Sequence, residues 1–313
     1  MKDVPLISIC IPAFQRKQHL GRLLDSIEIQ FFRDFEVVIT DDSPDIEIQD
    51  LVKTHPLRAR IRYFKNQFIL GSPENWNQGL RFARADWIKI MHDDDWFSGP
   101  DSLGCFAEAV KTGESAFYFS AYSNVYPNGH SKTTSLKSSY LDLLKQLPEI
   151  LFTSNRIGPP SAVIFKRDDA VFFDNRMKWL VDVDFYIHYL KNHGPAKYIA
   201  KNLIHIGISE SQITQASFGN PKIEIPERFM LAEKLDKTSI KNIRVFDAWW
   251  RFLRNLSVRD VSQIIAAGYQ GPVPDFIPVM IKFQNKIPAG LLKIRIFSKI
   301  SMSFCYLQQR KHL

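Results

Sequence analysis

The chain has 313 residues, 45% of them hydrophobic and 24% charged, with a mean hydropathy of −0.17; this excludes disorder and collagen-like repeats and leaves length for a large α/β domain with an appendage. No apolar run approaches the roughly 18 residues of a membrane-spanning helix, and an apolar strand begins at Leu6 before a secretory leader has room, so the expected location is the cytoplasm, including the inner face of the cell membrane. The net charge of +8 sits at the C-terminal end, where residues 241–313 hold 12 Lys and Arg against 3 Asp and Glu.

Leu6–Pro12 and Phe35–Thr40 are β-branched, apolar runs separated by His19–Gln30, in which Leu20, Leu23, Leu24 and Ile27 recur at helical spacing. This predicts strand, helix, strand. A third strand is predicted at Ile61–Phe64, a helix at Asn75–Ala85 and a fourth strand at Trp87–Met91, the alternation that a parallel sheet covered by helices produces. Ser102–Thr112 reads as a helix, Ala116–Val125 as a strand, and Ala162–Lys166 as a strand behind the Gly158-Pro159-Pro160 loop. Val181–Asn192 is predicted helical up to the stop at His193-Gly194-Pro195. Past Asn220-Pro221 the alternation gives way to helix-like stretches, the clearest at Glu227–Leu235 and Arg244–Asn255. The expected division is therefore a domain at 1–220 and a helical, basic extension at 221–313.

Carboxylates gather where strands should end: Asp41-Asp42 follows Val37–Thr40, and Asp93-Asp94-Asp95 follows Trp87–His92. In open α/β sheets ligands bind at the carboxyl ends of the strands. Three adjacent carboxylates repel one another unless a cation is present, and in an extended stretch Asp93 and Asp95 share one side while Asp94 points away. That pattern suits an oxygen-ligated Mg²⁺ or Mn²⁺ shared with a diphosphate. A solvated acidic loop is the plainer alternative.

Other chemistries lack their residues. There is no G-x-G-x-x-G after the first strand and no G-x-x-x-x-G-K-[S/T], so neither a dinucleotide fingerprint nor a P-loop is available. No H-E-x-x-H or G-x-S-x-G motif occurs, and Cys10, Cys105 and Cys305 have neither C-x-x-C spacing nor an even count. No recognised nucleic-acid motif accompanies the basic tail, and no nucleic-acid partner is expected.

Four blocks together resemble the family-2 inverting glycosyltransferases of GT-A fold. Ile7–Arg16 (I-S-I-C-I-P-A-F-Q-R) is similar to that family's opening strand and turn, and Phe35–Asp45 to its second strand with its paired acids. Asn77-Gln78-Gly79 followed by Trp87–Asp95 resembles its helix, strand and Asp-rich metal motif, here H-D-D-D-W, while Val181–Asp184 resembles its E-D-x-D block. The resemblance spans roughly residues 5–215. It implies a mostly parallel central sheet flanked by helices, Rossmann-like in its nucleotide-binding half, followed by the helical extension.

It also implies roles. Phe14 would lie against the nucleotide base and Asp42 would bond it, with Asp41, Pro12, Arg16 and Asn77 close by. Asp93 and Asp94 would face ribose and sugar hydroxyls, and Asp95 would be the main ligand of Mn²⁺ or Mg²⁺, with Asp93 and His205 as further ligands. The run of three Asp permits a one-residue slip. Asp182 would be the general base. Core packing for Phe14, turn capping by Asp42, helix capping by Asp182 and a satisfied core or loop position for His205 are the structural alternatives. Val181 stands where the family usually has Glu, and Gln15 where it has Asn.

The implied reaction transfers a sugar from a nucleoside-diphosphate donor to a saccharide or lipid-linked saccharide hydroxyl, with inversion, in bacterial surface polysaccharide or glycoconjugate assembly. Gly158–Ser161 and Trp179 are expected around the acceptor. A nucleotidyltransferase and a non-catalytic module docked on membrane are the rival readings; Ile11–Lys17 lacks the glycine-rich loop of the first. Ile281–Leu313, with seven basic residues, no acid and interleaved apolar residues, suits peripheral contact with anionic lipid or a helix packed on the core with a solvated basic face.

Overall fold

The computed structural model describes residues 4–209, 217 and 219–310. Its frame is a nine-stranded sheet in the order β3-β2-β1-β4-β8-β6-β9-β5, with β7 paired to β6. The strands are β1 (Ile7–Ala13), β2 (Phe35–Asp41), β3 (Ile61–Lys65), β4 (Trp87–Ile90), β5 (Trp96–Phe97), β6 (Phe117–Val125), β7 (Ser131–Thr134), β8 (Val163–Lys166) and β9 (Lys197–Gly207). β3, β2, β1 and β4 are mutually parallel, whereas β8 is antiparallel to both β4 and β6, and β5 to β9. The parallel arrangement thus holds for the first half, and the second half is mixed.

The helices are α1 (Lys17–Glu28), α2 (Glu47–Thr54), α3 (Glu74–Phe82), α4 (Ser102–Lys111), α5 (Ser138–Gln146), α6 (Val181–His193), α7 (Pro221–Lys234), α8 (Ile243–Asn255), α9 (Val261–Ala266), α10 (Phe276–Asn285), α11 (Ala289–Lys293) and α12 (Arg295–Gln309). None of the described helices is long and apolar enough to cross a membrane.

β1 and β2 are buried along nearly their whole length, as parallel strands covered on both faces must be, which explains their continuous apolar runs. Ile7, Ile9 and Ile11 pack with Val37, Ile39 and the α1 residues Leu20, Leu23, Leu24 and Ile27 in one cluster. One acid interrupts this core. Glu36 accepts hydrogen bonds from Ser8 Oγ (2.7 Å), Arg84 N and Nε (both 2.8 Å) and Arg62 Nη1 (3.3 Å). Burial alone would raise its pKa; the bonds from Ser8 and Arg84 hold it below the usual carboxylate value.

The chain forms two compact units. The first contains the sheet: the residues up to Pro148, Arg156–Met177, and the described residues 184–209. The second takes the described residues from 217 onward and also Glu149–Asn155 and Lys178–Val183 from within the first 220 residues. Residues 210–216 and 218, beside the expected boundary at 220/221, and 311–313 of the basic tail lie outside the described residues.

Candidate active site

Because β1, β2 and β4 run parallel, their carboxyl ends share one edge of the sheet. There the β1 turn is held to the end of β2: Asp42 N donates to Ala13 O (3.0 Å), and Gln15, with φ 58°, donates its N–H to Ser43 Oγ (2.8 Å). Phe14 beside it is 44% exposed, so it is not a core residue. Pro12 is half-buried within β1, paired with Thr40.

The two acids after β2 brace loops. Asp41 is wholly buried and accepts bonds from Ser43 N (2.8 Å), Tyr63 Oη (2.6 Å) and Lys65 Nζ (3.1 Å). Asp42 accepts from Asn66 Nδ2 (2.7 Å), Leu70 N (3.1 Å) and Gly71 N (2.8 Å), which pins the 66–71 loop against the end of β2. Asn77 of α3 donates to Phe173 O (2.9 Å) and Asn175 Oδ1 (3.1 Å) and accepts from Phe173 N (2.9 Å), so its amide ties α3 to the 173–175 loop.

The triplet after β4 is not extended, contrary to the expected alternation of sides. The strand ends at Ile90, and Asp95 N donates back to His92 O (3.1 Å), closing a turn over Asp93 and Asp94. The turn regroups the side chains: ligand atoms of His92, Asp94 and Asp95 lie within 4.8 Å of one another. Asp93 instead faces Arg16, whose Nη1 bridges Asp93 Oδ1 (3.3 Å) and Asp94 Oδ2 (2.9 Å). His205 is not in that group; it lies opposite Trp96 in the β5–β9 ladder, its ring edge-on at 5.3 Å.

The loop is fastened from several sides. Arg22 lies over the Trp96 ring at 3.7 Å and donates to Asp94 O (2.7 Å). Gly207 N donates to Asp95 Oδ1 (3.2 Å), and Ser161 accepts from His92 N (2.9 Å) and bonds the Asp95 carboxylate. Ser161 is fully buried, so it supports the acidic loop instead of lining an acceptor pocket as expected.

Negative charge here is undercompensated. Burial pushes Asp93 up to about 7 against the pull of Arg16, and burial together with Asp94 holds Asp95 well above the usual carboxylate range. Lys89, buried and bonded to Ser161 O, is itself held well below its usual value by burial, and its pull on Asp95 is weaker than the opposing push of burial and Asp94. The His92 pKa is likewise lowered by burial, leaving a neutral imidazole, and its Nε2 is buried with no hydrogen-bond partner. A neutral imidazole nitrogen and two carboxylates converging at short range form a donor set that fits Mn²⁺ or Mg²⁺.

Asp182 lies in the second unit, at the start of α6. It accepts from Val183 N (2.8 Å) and Asn155 Nδ2 (2.7 Å), and burial pushes it up to about 6 against those bonds, with the Glu227 charge adding to the rise. Glu227 of α7 is itself buried and accepts three consecutive backbone N–H groups, Lys178 (2.8 Å), Trp179 (2.9 Å) and Leu180 (2.7 Å). That clamp fixes the turn which carries Asp182.

Comparison with known proteins matches this architecture to a described family. Residues 8–172 fit the family described as Glycosyl transferase family 2. The chain belongs to that family. Its fold is the GT-A glycosyltransferase fold, shared with Staphylococcus aureus TarS 1–349 crystallised with UDP-GlcNAc (TM-score 0.64, 18% identity, 98% of this chain and 92% of that one). It is shared too with the mannosyltransferase PcManGT of Pyrobaculum calidifontis in complex with GDP-Man and Mn²⁺ (TM-score 0.58, 16% identity, 99% and 87%). At such identities the likeness concerns the fold. Among sequence relatives, an uncharacterized protein of Mycobacterium tuberculosis, MT1568, is 30% identical over 200 residues, 58% of this chain and 61% of its own length. The putative colanic acid biosynthesis glycosyl transferase WcaA of Escherichia coli is 28% identical over 224 residues, 69% and 78%.

Sequence reading missed His92, Arg22, Asn155 and Glu227. His92 carried a signal, standing directly before three acids. Arg22 looks like an ordinary helix charge until the fold places Trp96 beneath it. Glu227 is 45 residues beyond Asp182 in the chain, and nothing local links them.

Proposed function

We propose that this glycosyltransferase is metal-dependent and inverting, and that it moves a sugar from a nucleoside diphosphate to a hydroxyl of a lipid-linked saccharide in bacterial surface polysaccharide assembly. The observation that carries the reading is the close grouping of His92, Asp94 and the buried Asp95, with its unpartnered imidazole nitrogen and an Asp95 carboxyl held above the usual range by burial and Asp94. The proteins it resembles support the substrate classes. TarS was crystallised with UDP-GlcNAc, PcManGT with GDP-Man and Mn²⁺, and a Campylobacter jejuni relative, 32% identical over 94 residues, is a β-1,3-glucosyltransferase of an undecaprenyl-diphosphate-linked saccharide.

In this reading Asp95, Asp94 and His92 hold Mn²⁺ or Mg²⁺, which when bound neutralises charge on the departing nucleoside diphosphate. Phe14 offers an exposed ring for the base, and Asp42 shapes its surroundings through the 66–71 loop. Arg16 keeps Asp93 and Asp94 oriented, leaving Asp93 for a ribose or sugar hydroxyl. Asp182 accepts the proton of the acceptor hydroxyl as that oxygen attacks the anomeric carbon. The C–O bond to the diphosphate breaks in the same displacement, so configuration inverts without a covalent intermediate. Asn155 and the Val183 N–H hold the base, and Glu227 holds its turn.

Radiolabelled sugar nucleotides offered with polyprenyl-diphosphate saccharides test this. Transfer from one donor, with the anomeric configuration of the product inverted by NMR and a loss of about 10²–10⁴-fold in Asp182→Asn, is the expected result. Retained configuration, or full turnover by Asp182→Asn, would overturn the assigned mechanism.

A further inference from the structure

The C-terminal helix α12 carries large apolar residues on its outward face as well as on its inward one. A helix on the surface of a globular protein turns its apolar stripe inward and its polar residues out. In α12 the inward face is Ser298, Met302, Cys305, Tyr306 and Gln309, all buried. Its polar groups have partners: Ser298 Oγ accepts from Trp250 Nε1 (3.0 Å) and Arg254 Nη1 (2.7 Å), and Tyr306 Oη donates to Lys241 O (2.5 Å). The outward face carries Ile296, Phe297, Ile300, Phe304 and Leu307, between 49% and 69% exposed. Four of these recur at three- and four-residue intervals, with Phe297 alongside, so they form one continuous stripe.

The charges on this stretch of the chain are of one sign. Residues 276–310 contain no Asp or Glu, while Lys293, Arg295, Lys299 and Arg310 belong to or adjoin α12. Lys299 pairs with Asp247 of α8 (3.3 Å). Large apolar residues exposed on a helix flanked by cations match an interface of acyl chains below anionic headgroups. A second copy of the chain fits worse, since a two-fold contact through this stripe would bring equal cations together.

We propose that α12 is a membrane-docking helix, lying in the plane of an anionic lipid surface with Ile296, Phe297, Ile300, Phe304 and Leu307 inserted below the headgroups. This goes beyond the reaction, because it assigns the surface at which the reaction takes place. It stands or falls independently of the acidic site.

The test is flotation of the full chain with phosphatidylglycerol/phosphatidylcholine vesicles and with phosphatidylcholine alone. The wild type is expected to float with the anionic vesicles and to dissociate as salt rises. Ile300→Glu/Phe304→Glu is expected to bind about tenfold or more weakly, with unchanged circular dichroism and unchanged hydrolysis of a soluble donor. Failure of the wild type to float, or flotation unaffected by the double substitution, would overturn the proposal. So would a dimer in light scattering that the same substitution dissolves without any lipid binding, which would give the stripe to a second copy.

Discussion

Asp182 shows how burial tunes one residue for its assigned task. An aspartate pushed up to about 6 is a stronger base than a solvated one and still ionised at neutral pH. The proposed mechanism requires the deprotonated form, so it predicts that kcat/KM falls tenfold per pH unit below about pH 6 and levels above it. Glu227→Gln removes a negative charge that raises the Asp182 pKa, so this limb should shift to lower pH, with kcat reduced because the amide clamps the 178–180 turn less well. A pH–rate profile of the two proteins reads both effects. Glu227→Ala leaves three backbone N–H groups without their acceptor and should cost about 2–4 kcal/mol in chemical denaturation. The positions of Phe14 and the acidic triplet could be read from sequence because each stands next to a strand end. The Glu227 clamp could not, because it is made only by folding a distant helix over the turn.

At the scale of elements, β9 matters as much as β4. Gly207 closes β9 directly above the acidic turn; a Cβ there would sit on the Asp94 carbonyl oxygen and within 3.3 Å of Arg22 Nη2. Neither backbone nor the stacked Arg22 yields easily, so Gly207→Ala should weaken Mn²⁺ binding measured by calorimetry and lower the melting temperature together. Unchanged metal affinity would separate β9 from the site. β1, β2 and β4 were legible to within a residue because buried parallel strands are written as unbroken β-branched runs. The turn at Asp93-Asp94 was not, since the same three letters in an extended stretch place Asp93 and Asp95 together, and only the bond from Asp95 N to His92 O selects His92, Asp94 and Asp95 instead. β5, two residues long, has no periodicity to read.

Across the whole molecule, charge is divided by task. The sheet unit buries acids at the strand ends, and the basic excess lies in the second unit, away from the acidic site in sequence. That unit also takes in 149–155 and 178–183, a regrouping that no composition shift along the chain announces, because it arises from bonds such as those of Glu227. At the opposite end of the parallel strands, Glu36 anchors the sheet. Glu36→Gln should destabilise the protein by about 3 kcal/mol in chemical denaturation. Since the folded pKa of Glu36 is depressed, its contribution is present at neutral pH and lost as pH falls through that folded value.

The central claim is that His92, Asp94 and Asp95 hold a divalent cation that makes a sugar nucleotide reactive. The most direct measurement is release of nucleoside diphosphate from a panel of sugar nucleotides with Mn²⁺, Mg²⁺ or EDTA, for the wild type and Asp95→Ala. The account predicts release from one donor that EDTA abolishes and that Asp95→Ala reduces by about 10²-fold or more. Release that persists in EDTA, or at the wild-type rate in Asp95→Ala, would contradict it.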